Sequence, residues 1–228
     1  MVGQVIRLPL RLIPPGLTVR IVSGPLRGDK WVVGAGVHGV WLGSYERMKI
    51  RRVQAALKPG DVFYDIGAHA GVYSLAAARA VGEGGTIVAV EPSEVNATRF
   101  ARHMDLNRIG SVRLIAAAAS DTVGGATFSR GPNNYQGRLQ ADGDMVVGTI
   151  RLDDIEPVPA VIKIDVEGHE ASVLRGARRI LELDRPVVFV AIHGSEARAR
   201  CSQILETHDY EVEWLDSSEL VAHPRRTR

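Results

Sequence analysis

Apolar and polar positions alternate along most of the chain with two different periods, and this alternation predicts a parallel α/β protein. Short, nearly continuous apolar runs, typical of strands buried on both faces, occupy residues 62–67, 85–92, 112–120, 160–165 and 186–194. Stretches with helical spacing follow at 70–82, 93–109, 170–184 and 195–209. Since alternating strands and helices build a parallel sheet covered on both faces, we expect ligands beyond the carboxyl ends of the strands.

Three segments depart from this pattern. The stretches 17–24 and 30–43 are rich in β-formers and broken by glycine, which predicts an N-terminal hairpin, and a helical stretch follows at 44–57. Residues 121–155 are typical of short strands joined by Gly, Asn and Asp turns, so we expect an insertion that lies over a site. The alternation at 210–224 predicts a terminal hairpin. The predicted organisation is an N-terminal hairpin-and-helix attachment (1–58), a main domain (59–224) and a frayed tail (225–228).

Composition adds the expectation of a soluble globular protein. The chain has 228 residues, of which 45% are apolar and 24% charged, enough for one sizeable core. Arg7, Pro9 and Arg11 interrupt the apolar run near the N-terminus, so neither a signal peptide nor a spanning helix is predicted, and we expect a cytoplasmic protein. A single cysteine, Cys201, excludes an internal disulfide and a CxxC motif.

Basic residues are concentrated at the front of the chain. Residues 1–60 carry ten Lys and Arg against two acids, whereas residues 61–228 carry eighteen against twenty-four. Such a front could attract an anionic substrate, a membrane surface or nucleic acid. A solvated basic face is the simpler explanation, because aromatic residues do not interleave there as a stacking platform for nucleic acid requires.

The stretch DIGAHAG, from Asp65 to Gly71, carries the signal for a cofactor. A strand ends at Asp65 and turns through Gly67 and Gly71 into a helix, and glycines let a ligand approach the backbone closely. Glu91 stands twenty residues after Gly71, at the end of the next strand, where an acid can accept both hydrogen bonds of a ribose diol. This combination predicts an adenosine-type cofactor. A dinucleotide would need a G-x-G-x-x-G turn and would be repelled by Asp65, which would instead attract the ammonium and sulfonium charges of S-adenosylmethionine.

Several motifs occur in a characteristic order between about residues 41 and 193. They are WLGSYE, KPGDVFYDIGAHAGVYSLAAA, VAVEPSEVNATRFARHMDLN, AAAASD, TIRLDDI, IKIDVEGHEASVLRGA and PVVFVAIHG. Together they resemble the FkbM-type S-adenosylmethionine-dependent methyltransferases. The resemblance implies a Rossmann-like class I methyltransferase fold, a seven-stranded, mainly parallel sheet in the order 3-2-1-4-5-7-6 with helices on both faces, and O-methylation of a hydroxyl on a sugar or natural product. Members often carry a Glu two residues before the histidine of the fifth strand, where this chain has Ala191, which puts any role of that acid in doubt.

The same likeness, together with the strand ends, predicts the cofactor contacts. Asp65 and the glycine turn are expected at the methionine end, Glu91 at the ribose, and Ser120 with Asp121 at the adenine edge. Tyr45 and Glu46 could close over the cofactor, although Glu46 could equally be an ordinary acid in the first turn of a helix. The full set of expected cofactor-binding residues is Glu46, Asp65, Gly67, Ala68, His69, Gly71, Glu91, Pro92, Ser120, Asp121 and Asp165.

The expected catalytic residues are Asp165, His193 and Glu167. In the implied strand order the ends of strands one, four and five meet, and side-chain alternation places Lys163 and Asp165 on one face, with Glu167 joining them if the chain stays extended. His193, with an ordinary pKa of about 6.5, suits a general base that removes the hydroxyl proton, with Asp165 as its orienting partner. His193 could instead merely bond a loop, and Asp165 could itself be the base or hold the cofactor's amino group.

Other polar residues of this stretch have simpler explanations. Glu170 is expected to favour the positive N-terminus of the following helix, and His169 to be a loop side chain. A Mg²⁺ site formed by Asp165, Glu167 and His193 is conceivable, but it ranks below a metal-free site because helix capping accounts for the surplus acids.

The predicted function is O-methylation of a hydroxyl on a sugar, glycolipid or natural-product small molecule, which could be anionic or glycosylated. A nucleic-acid methyltransferase is less favoured, because the chain lacks the Asn/Asp-Pro-Pro-aromatic signature used on exocyclic base nitrogens. A catalytically silent S-adenosylmethionine-binding protein stays open because of Ala191. A dehydrogenase would require tighter binding of NAD than of S-adenosylmethionine.

Overall fold

The computed structural model describes residues 13–129, 137–140 and 143–225. Predictions that fall on 1–12, 130–136, 141–142 and 226–228, which include the start of the attachment, parts of the insertion and most of the tail, lie outside the described residues. No helix within those described ranges is long and apolar enough to span a bilayer.

The elements follow the predicted alternation. The strands are β1 (Thr18–Arg20), β2 (Lys30–Val32), β3 (Val62–Ile66), β4 (Thr86–Val90), β5 (Val112–Ile115), β6 (Ala118–Ala119), β7 (Gly124–Ser129), β8 (Arg138–Leu139), β9 (Met145–Ile150), β10 (Val161–Ile164), β11 (Val187–Ala191), β12 (Tyr210–Trp214) and β13 (Glu219–Pro224). The helices are α1 (His38–Leu42), α2 (Arg47–Ala56), α3 (Val72–Val81), α4 (Glu94–Leu106), α5 (Glu170–Arg175) and α6 (Ser195–Thr207). A short 3₁₀-helix, Leu152–Asp154, and a π-helical turn, Ile180–Asp184, complete the list.

Seven strands form the main sheet in the order β12-β13-β11-β10-β3-β4-β5. The pairs β3–β4, β4–β5, β3–β10 and β10–β11 are parallel, whereas β13 runs antiparallel to both β11 and β12. Numbered along the sheet-forming strands, this is the order 3-2-1-4-5-7-6. The predicted class I methyltransferase fold and its terminal hairpin are therefore confirmed, and the carboxyl ends of β3, β10 and β11 are neighbours.

Each central strand buries residues on both faces of this sheet. Phe63 and Val161 pack into one apolar cluster with α3, while Tyr64 and Ile162 pack into a second cluster with α5. All four side chains are at most 1% exposed, which explains why these strands show near-continuous apolar runs instead of strict alternation. The polar side chains of Asp65 and Lys163 continue the first face toward the carboxyl ends of their strands.

The insertion builds a separate four-stranded sheet in the order β6-β9-β7-β8. The prediction of one strand over 112–120 is wrong, because β5 ends at Ile115 and the following Ala118 pairs with Thr149 of β9. The backbone N–H of Ala117 donates to the carbonyl of Ile115 (3.0 Å), and this tight turn directs the chain out of the main sheet. A continuous alanine run gives no sign of such a turn.

The N-terminal hairpin is confirmed by the antiparallel pairing of β1 with β2. The β prediction is wrong beyond Val32, since His38–Leu42 forms the short helix α1, which ends on Gly43 at φ +80°. Valine and tryptophan in this segment suggested a strand, but helical spacing lets Val40 and Trp41 be buried together. Helix α2 begins at Arg47, later than the start predicted at residue 44.

The prediction of one helix over 170–184 is also wrong. Helix α5 ends at Arg175, and the π-helical turn Ile180–Asp184 follows as a separate element. A Cβ on Gly176 would lie 2.0 Å from the carbonyl oxygen of Ser120, so the chain here packs directly against the end of β6. This close approach, made to a residue far away in sequence, ends the helix.

Candidate active site

The turn after β3 brings three elements together at one edge of the main sheet. Gly67 adopts φ +75°, and a Cβ there would lie 1.9 Å from the carbonyl oxygen of Asp165, so glycine is required. Gly71, at φ +90°, precedes α3, and its Cβ would lie 2.8 Å from the side chain of Met104. Gly67 lets the end of β3 pack closely against the end of β10, and Gly71 lets the start of α3 pack closely against α4.

The backbone N–H groups of this turn are occupied by protein acceptors. Gly67 and Ala68 donate to the carbonyl of Val90 (2.9 and 3.1 Å), and His69 donates to Oε2 of Glu91 (2.9 Å). A pyrophosphate would need such groups to point outward at the ligand. The turn therefore lacks the phosphate cradle of a dinucleotide site at these three positions.

Glu91 is a buried carboxylate held in one orientation. Its Oε1 accepts the backbone N–H of Ser93 (2.9 Å) and the side-chain amide of Asn96 (3.3 Å), while Oε2 accepts His69. Burial raises the pKa of Glu91, and the hydrogen bonds from Ser93 and His69 oppose that rise. The result is a fixed acceptor at the end of β4, where the sequence predicts a ribose contact.

A buried lysine connects two aspartates of the site. The Nζ of Lys163, a residue that is 5% exposed, lies 3.7 Å from Oδ1 of Asp65 and 3.5 Å from Oδ2 of Asp165. Burial favours the neutral amine, but the charges of Asp165 and Asp65 outweigh it and hold the pKa of Lys163 above its ordinary value. Burial raises the pKa of Asp65, against the opposing effects of Lys163 and of the Ser74 hydroxyl, which donates to it at 2.7 Å. The shared face of Lys163 and Asp165 was predicted, whereas the role of Lys163 as a common partner was not.

His193 lies just beyond β11 with its two ring nitrogens in different surroundings. Nδ1 is 2.8 Å from Oε1 of Glu170, and Nε2 is 3.8 Å from Oδ1 of Asp165 and 3.5 Å from Oε2 of Glu167. The hydrogen bond to Glu170 raises the pKa of His193, burial opposes it, and the charges of Asp165 and Glu167 raise it further. Because a carboxylate oxygen accepts, Nδ1 carries the proton and Nε2 is the free acceptor of the neutral ring.

Glu170 holds Nδ1 of His193, whereas Asp165 lies 3.8 Å from Nε2, so an orienting role of Asp165 stays a prediction. Glu170 is fully buried, and its Oε1 also accepts the backbone N–H of Gly168 (2.8 Å) at the start of α5. The expected role at the helix N-terminus and the orientation of the histidine thus fall to the same carboxylate. No local pattern reveals the second role, since Glu170 and His193 belong to different elements.

The geometry also bears on the metal alternative. One oxygen from each of Asp165 and Glu167 and one nitrogen from His193 lie within 4.8 Å of one another. Glu167 adopts φ +53°, and burial raises its pKa while His193 opposes the rise. Such a set could ligate a divalent ion, but Nε2 of His193 could not then serve as a base as well.

A cavity opens at this edge between the main sheet, the N-terminal attachment and the inserted sheet. Among the predicted residues, those that line it are Gly67, Ala68, His69, Glu91, Pro92, Asp165 and Glu167. The adenine-edge pair does not line it, since Ser120 lies 3.1 Å from the ring nitrogen Nε2 of His169, and Asp121 pairs with Arg175 at 2.8 Å. Ala118 and Ala119, directly before that pair, form the wall instead. Asp65, Gly71 and His193 do not line the cavity themselves, but each contacts residues that do.

Several lining residues had no predicted role. The hydroxyl of Tyr73 donates to Oε2 of Glu46 (2.8 Å), and the Tyr73 ring lies 4.9 Å from Nζ of Lys163. Tyr45 lines the cavity, as expected of a residue that closes over it, whereas Glu46 holds Tyr73 from behind. The sequence signal that could have identified Tyr73 as a lining residue is its position in the first turn of α3, directly after the glycine turn. The other new lining residues include Trp31, Val37, Val40, Phe128, Arg138, Leu139, Lys163 and His169.

Comparison with known proteins identifies the family. The model of the Methyltransferase FkbM domain matches residues 65–217. The chain belongs to the FkbM methyltransferase family. It is also similar to the hexuronic acid methyltransferase AglP of Haloferax volcanii, with 28% identity over 155 residues that cover 65% of this chain and 62% of that protein. The chain thus spans less than two thirds of that relative's length.

Solved structures support the same fold. An FkbM methyltransferase from Methylobacillus flagellatus superimposes with a TM-score of 0.54 at 19% identity, covering 81% of this chain and 53% of that one. An S-adenosylmethionine-dependent O-methyltransferase from Thermotoga maritima gives a TM-score of 0.57 at 12% identity, covering 96% and 82%. Fibrillarin from Aeropyrum pernix, solved with natively bound S-adenosylmethionine, gives 0.51 at 18% identity, covering 77% and 73%.

Family and fold identify S-adenosylmethionine as the cofactor. The residues at the sheet edge fit it, because the fixed carboxylate of Glu91 can accept a diol and the amides of the turn offer no phosphate cradle. The carboxylates of Asp65 and Asp165 supply negative charge at the opposite end, shared with Lys163.

Proposed function

We propose that this protein is an S-adenosylmethionine-dependent O-methyltransferase that methylates a hydroxyl of a sugar acid or of a related small molecule. The observation that carries the proposal is the imidazole of His193, whose Nδ1–H is held by buried Glu170 so that Nε2 faces Asp165 and Glu167. A neutral ring fixed in this tautomer presents the acceptor that a departing hydroxyl proton needs.

The acceptor class is supported by the similarity to a hexuronic acid methyltransferase. The cavity walls contributed by the attachment and the inserted sheet combine apolar and charged side chains, which suits a sugar-sized molecule better than a nucleic-acid strand. In the described part of the chain no basic stripe with interleaved aromatic residues leads to this cavity.

Each residue has a distinct part in the proposed reaction. When bound, S-adenosylmethionine would supply the electrophilic methyl group, whose bond to sulfur breaks as the bond to oxygen forms, and would leave as S-adenosylhomocysteine. Nε2 of His193 takes the hydroxyl proton as the new carbon–oxygen bond forms, and Glu170 stabilises the resulting imidazolium through the Nδ1–H hydrogen bond. Asp165, held by Lys163, lies beside both the cavity and His193, where it positions the reacting groups. Such positioning accounts for about 7–11 kcal/mol of barrier lowering in well-oriented reactions.

Transfer of labelled methyl groups from S-adenosylmethionine to hexuronic acids and their glycosides tests the proposal. We expect turnover by the wild type and a loss of about 10²–10⁴-fold in kcat for His193→Ala and Asp165→Ala. His223→Ala, at an exposed histidine on β13, is the matched control and should keep wild-type turnover. Full activity in both site variants would refute the assignment.

EDTA should leave the rate unchanged, and a loss restored by Mg²⁺ would favour the metal-bound arrangement of Asp165, Glu167 and His193.

A further inference from the structure

We propose that Arg138 forms a carboxylate-binding subsite of the cavity, so that the acceptor is a uronic acid whose carboxylate is bound by Arg138 while a hydroxyl of the same molecule faces His193. This inference rests on the proposed function and specifies its substrate.

Arg138 is a cation at the cavity without an acidic partner. It lies on β8, the edge strand of the inserted sheet, and its side chain is exposed and lines the cavity together with Asp165 and Glu167. No carboxylate of the described chain lies within ion-pair distance of it, whereas arginines elsewhere on the surface pair with acids, such as Arg151 with Asp154 and Arg175 with Asp121.

The guanidinium is nevertheless held in place. Its Nε donates to Oε1 of Gln140 at 2.7 Å, which leaves the two terminal nitrogens for a ligand. Two parallel N–H groups on a planar fork match the two oxygens of a carboxylate, a geometry that a lysine cannot supply. The subsite therefore selects a planar anion and not merely a negative charge.

The charge of the cavity makes such a cation necessary for an anionic acceptor. Glu91, Asp165 and Glu167 all line the cavity, and the charge of Lys163 is already shared by Asp65 and Asp165. An acceptor carboxylate that entered without a counter-charge would be repelled by these acids. Among the described residues, Arg138 is the lining Lys or Arg with no carboxylate within ion-pair distance, and the charge that reaches it from Glu167 acts over a longer range.

Arg138 lines the same cavity as Asp165 and Glu167, the two acids that lie beside Nε2 of His193. The charge of Arg138 opposes the rise of the pKa of Glu167, and Oε2 of Glu167 lies 3.5 Å from Nε2 of His193. A molecule that contacts Arg138 and His193 together must carry its carboxylate and its reacting hydroxyl close to each other, as a uronic acid ring does.

Binding of two matched probes tests the subsite directly. Phenyl β-D-glucuronide and phenyl β-D-glucoside differ in a carboxylate against a hydroxymethyl group, and their affinities are measured by calorimetry in the presence of S-adenosylhomocysteine. We expect the wild type to prefer the glucuronide, and Arg138→Gln to lose about 10–100-fold in affinity for it, with no change for the glucoside. Arg138→Lys should recover a part of the loss, because it keeps the charge without the fork. Arg200→Gln, an exposed arginine on α6, controls for the change in net charge.

The outcomes separate this inference from the proposed function. Equal affinities of the wild type for both probes, no binding of either, or glucuronide binding unchanged in Arg138→Gln would overturn the subsite. Arg138-dependent binding without methylation of any uronic acid would support the subsite and refute the proposed reaction. If methylation occurs, the product should be a base-stable ether, whereas a base-labile methyl ester would show that the carboxylate is itself the acceptor and would overturn the inference.

Discussion

The residue with the largest effect on the pKa of His193 is Glu170, a carboxylate that is completely buried. It is stabilised by the N–H groups of Gly168 and His193, so its charge acts on the imidazole at a distance of 2.8 Å with little screening by water. This hydrogen bond is the largest cause of the raised pKa of His193. A base must be neutral to accept a proton, so activity should increase as the pH rises through the pKa of His193.

Replacing Glu170 by Gln should shift this pH dependence. The amide oxygen can still accept both hydrogen bonds, but it no longer favours the imidazolium, so the pKa of His193 falls toward its ordinary value. The rising limb of the kcat profile should therefore move to lower pH, with a lower maximal rate because the imidazolium formed in the reaction loses its partner. A loss of rate with an unmoved limb would mean that Glu170 serves the structure of α5 alone. Glu196→Gln, at an exposed acid in the first turn of α6, is the control.

The residues of the candidate site illustrate what residue patterns can reveal. Asp65, Glu91 and Asp165 could be selected because each ends an apolar strand, and strand ends meet at one edge of a parallel sheet. The pairing of Glu170 with His193 could not be selected, because it depends on how α5 packs beside β11. The role of Lys163 as a common partner of two aspartates could not be predicted either, because its position inside an apolar run gives no sign of both carboxylates.

At the scale of elements, His103 links the N-terminal hairpin to the glycine turn after β3 through hydrogen bonds and ring stacking. The ring of His103, on α4, stacks on Trp31 with a centroid distance of 3.8 Å. Its Nδ1–H donates to the carbonyl of Ala70 (2.7 Å), and its Nε2 accepts the backbone N–H of Val32 (3.0 Å). The bond that Nε2 accepts requires the neutral ring, and burial lowers the pKa of His103 to about 4, against the opposing bond to Ala70.

Because the Nε2 bond of His103 is lost on protonation, the free energy of unfolding should fall in mild acid. A histidine whose pKa is lower in the folded state contributes stability that is complete above its unfolded pKa of about 6.5 and is lost as the pH falls toward 4, in total roughly 2–4 kcal/mol. His103→Gln keeps a donor and an acceptor but cannot titrate, so urea unfolding of this variant should lose less stability than the wild type over that range. Equal losses of unfolding free energy in the wild type and in His103→Gln would exclude this role of His103. Arg51→Gln, at an exposed residue of α2, is the control.

Elements were predictable where a single packing environment governed them. Four of the five predicted parallel strands and the terminal hairpin agree with their apolar patterns because each lies in one sheet. The errors occur where a segment changes environment, as at Ile115, where the alanine run passes from one sheet into another, and at Gly176, where backbone contact with Ser120 ends α5. Such contacts join residues that are distant in sequence, so local periodicity contains no record of them.

For the whole molecule, the cavity divides into two halves of different origin. The cofactor half is built by the ends of β3, β4 and β10 in the main sheet, and the opposite walls come from the N-terminal attachment and the inserted sheet. The DIGAHAG and IKIDVEGHE motifs belong to the first half. Acceptor choice should therefore depend on the second half, where Arg138 and Phe128 lie.

Ligand-induced stabilisation of the whole fold tests the cofactor half independently of any acceptor. A ligand at one hundred times its Kd stabilises the folded state by about 2.7 kcal/mol, which in a chain of this size raises Tm by about 5–10 °C. We expect S-adenosylmethionine to give such a shift and NAD to give none, because the N–H groups of Gly67, Ala68 and His69 already have protein acceptors. Glu91→Gln should reduce the shift, and Glu83→Gln, at an exposed acid after α3, should keep it. An equal or larger Tm shift with NAD would mean that the turn rearranges to hold phosphate. The measurement does not depend on the methyl acceptor, because no acceptor chemistry takes part in it.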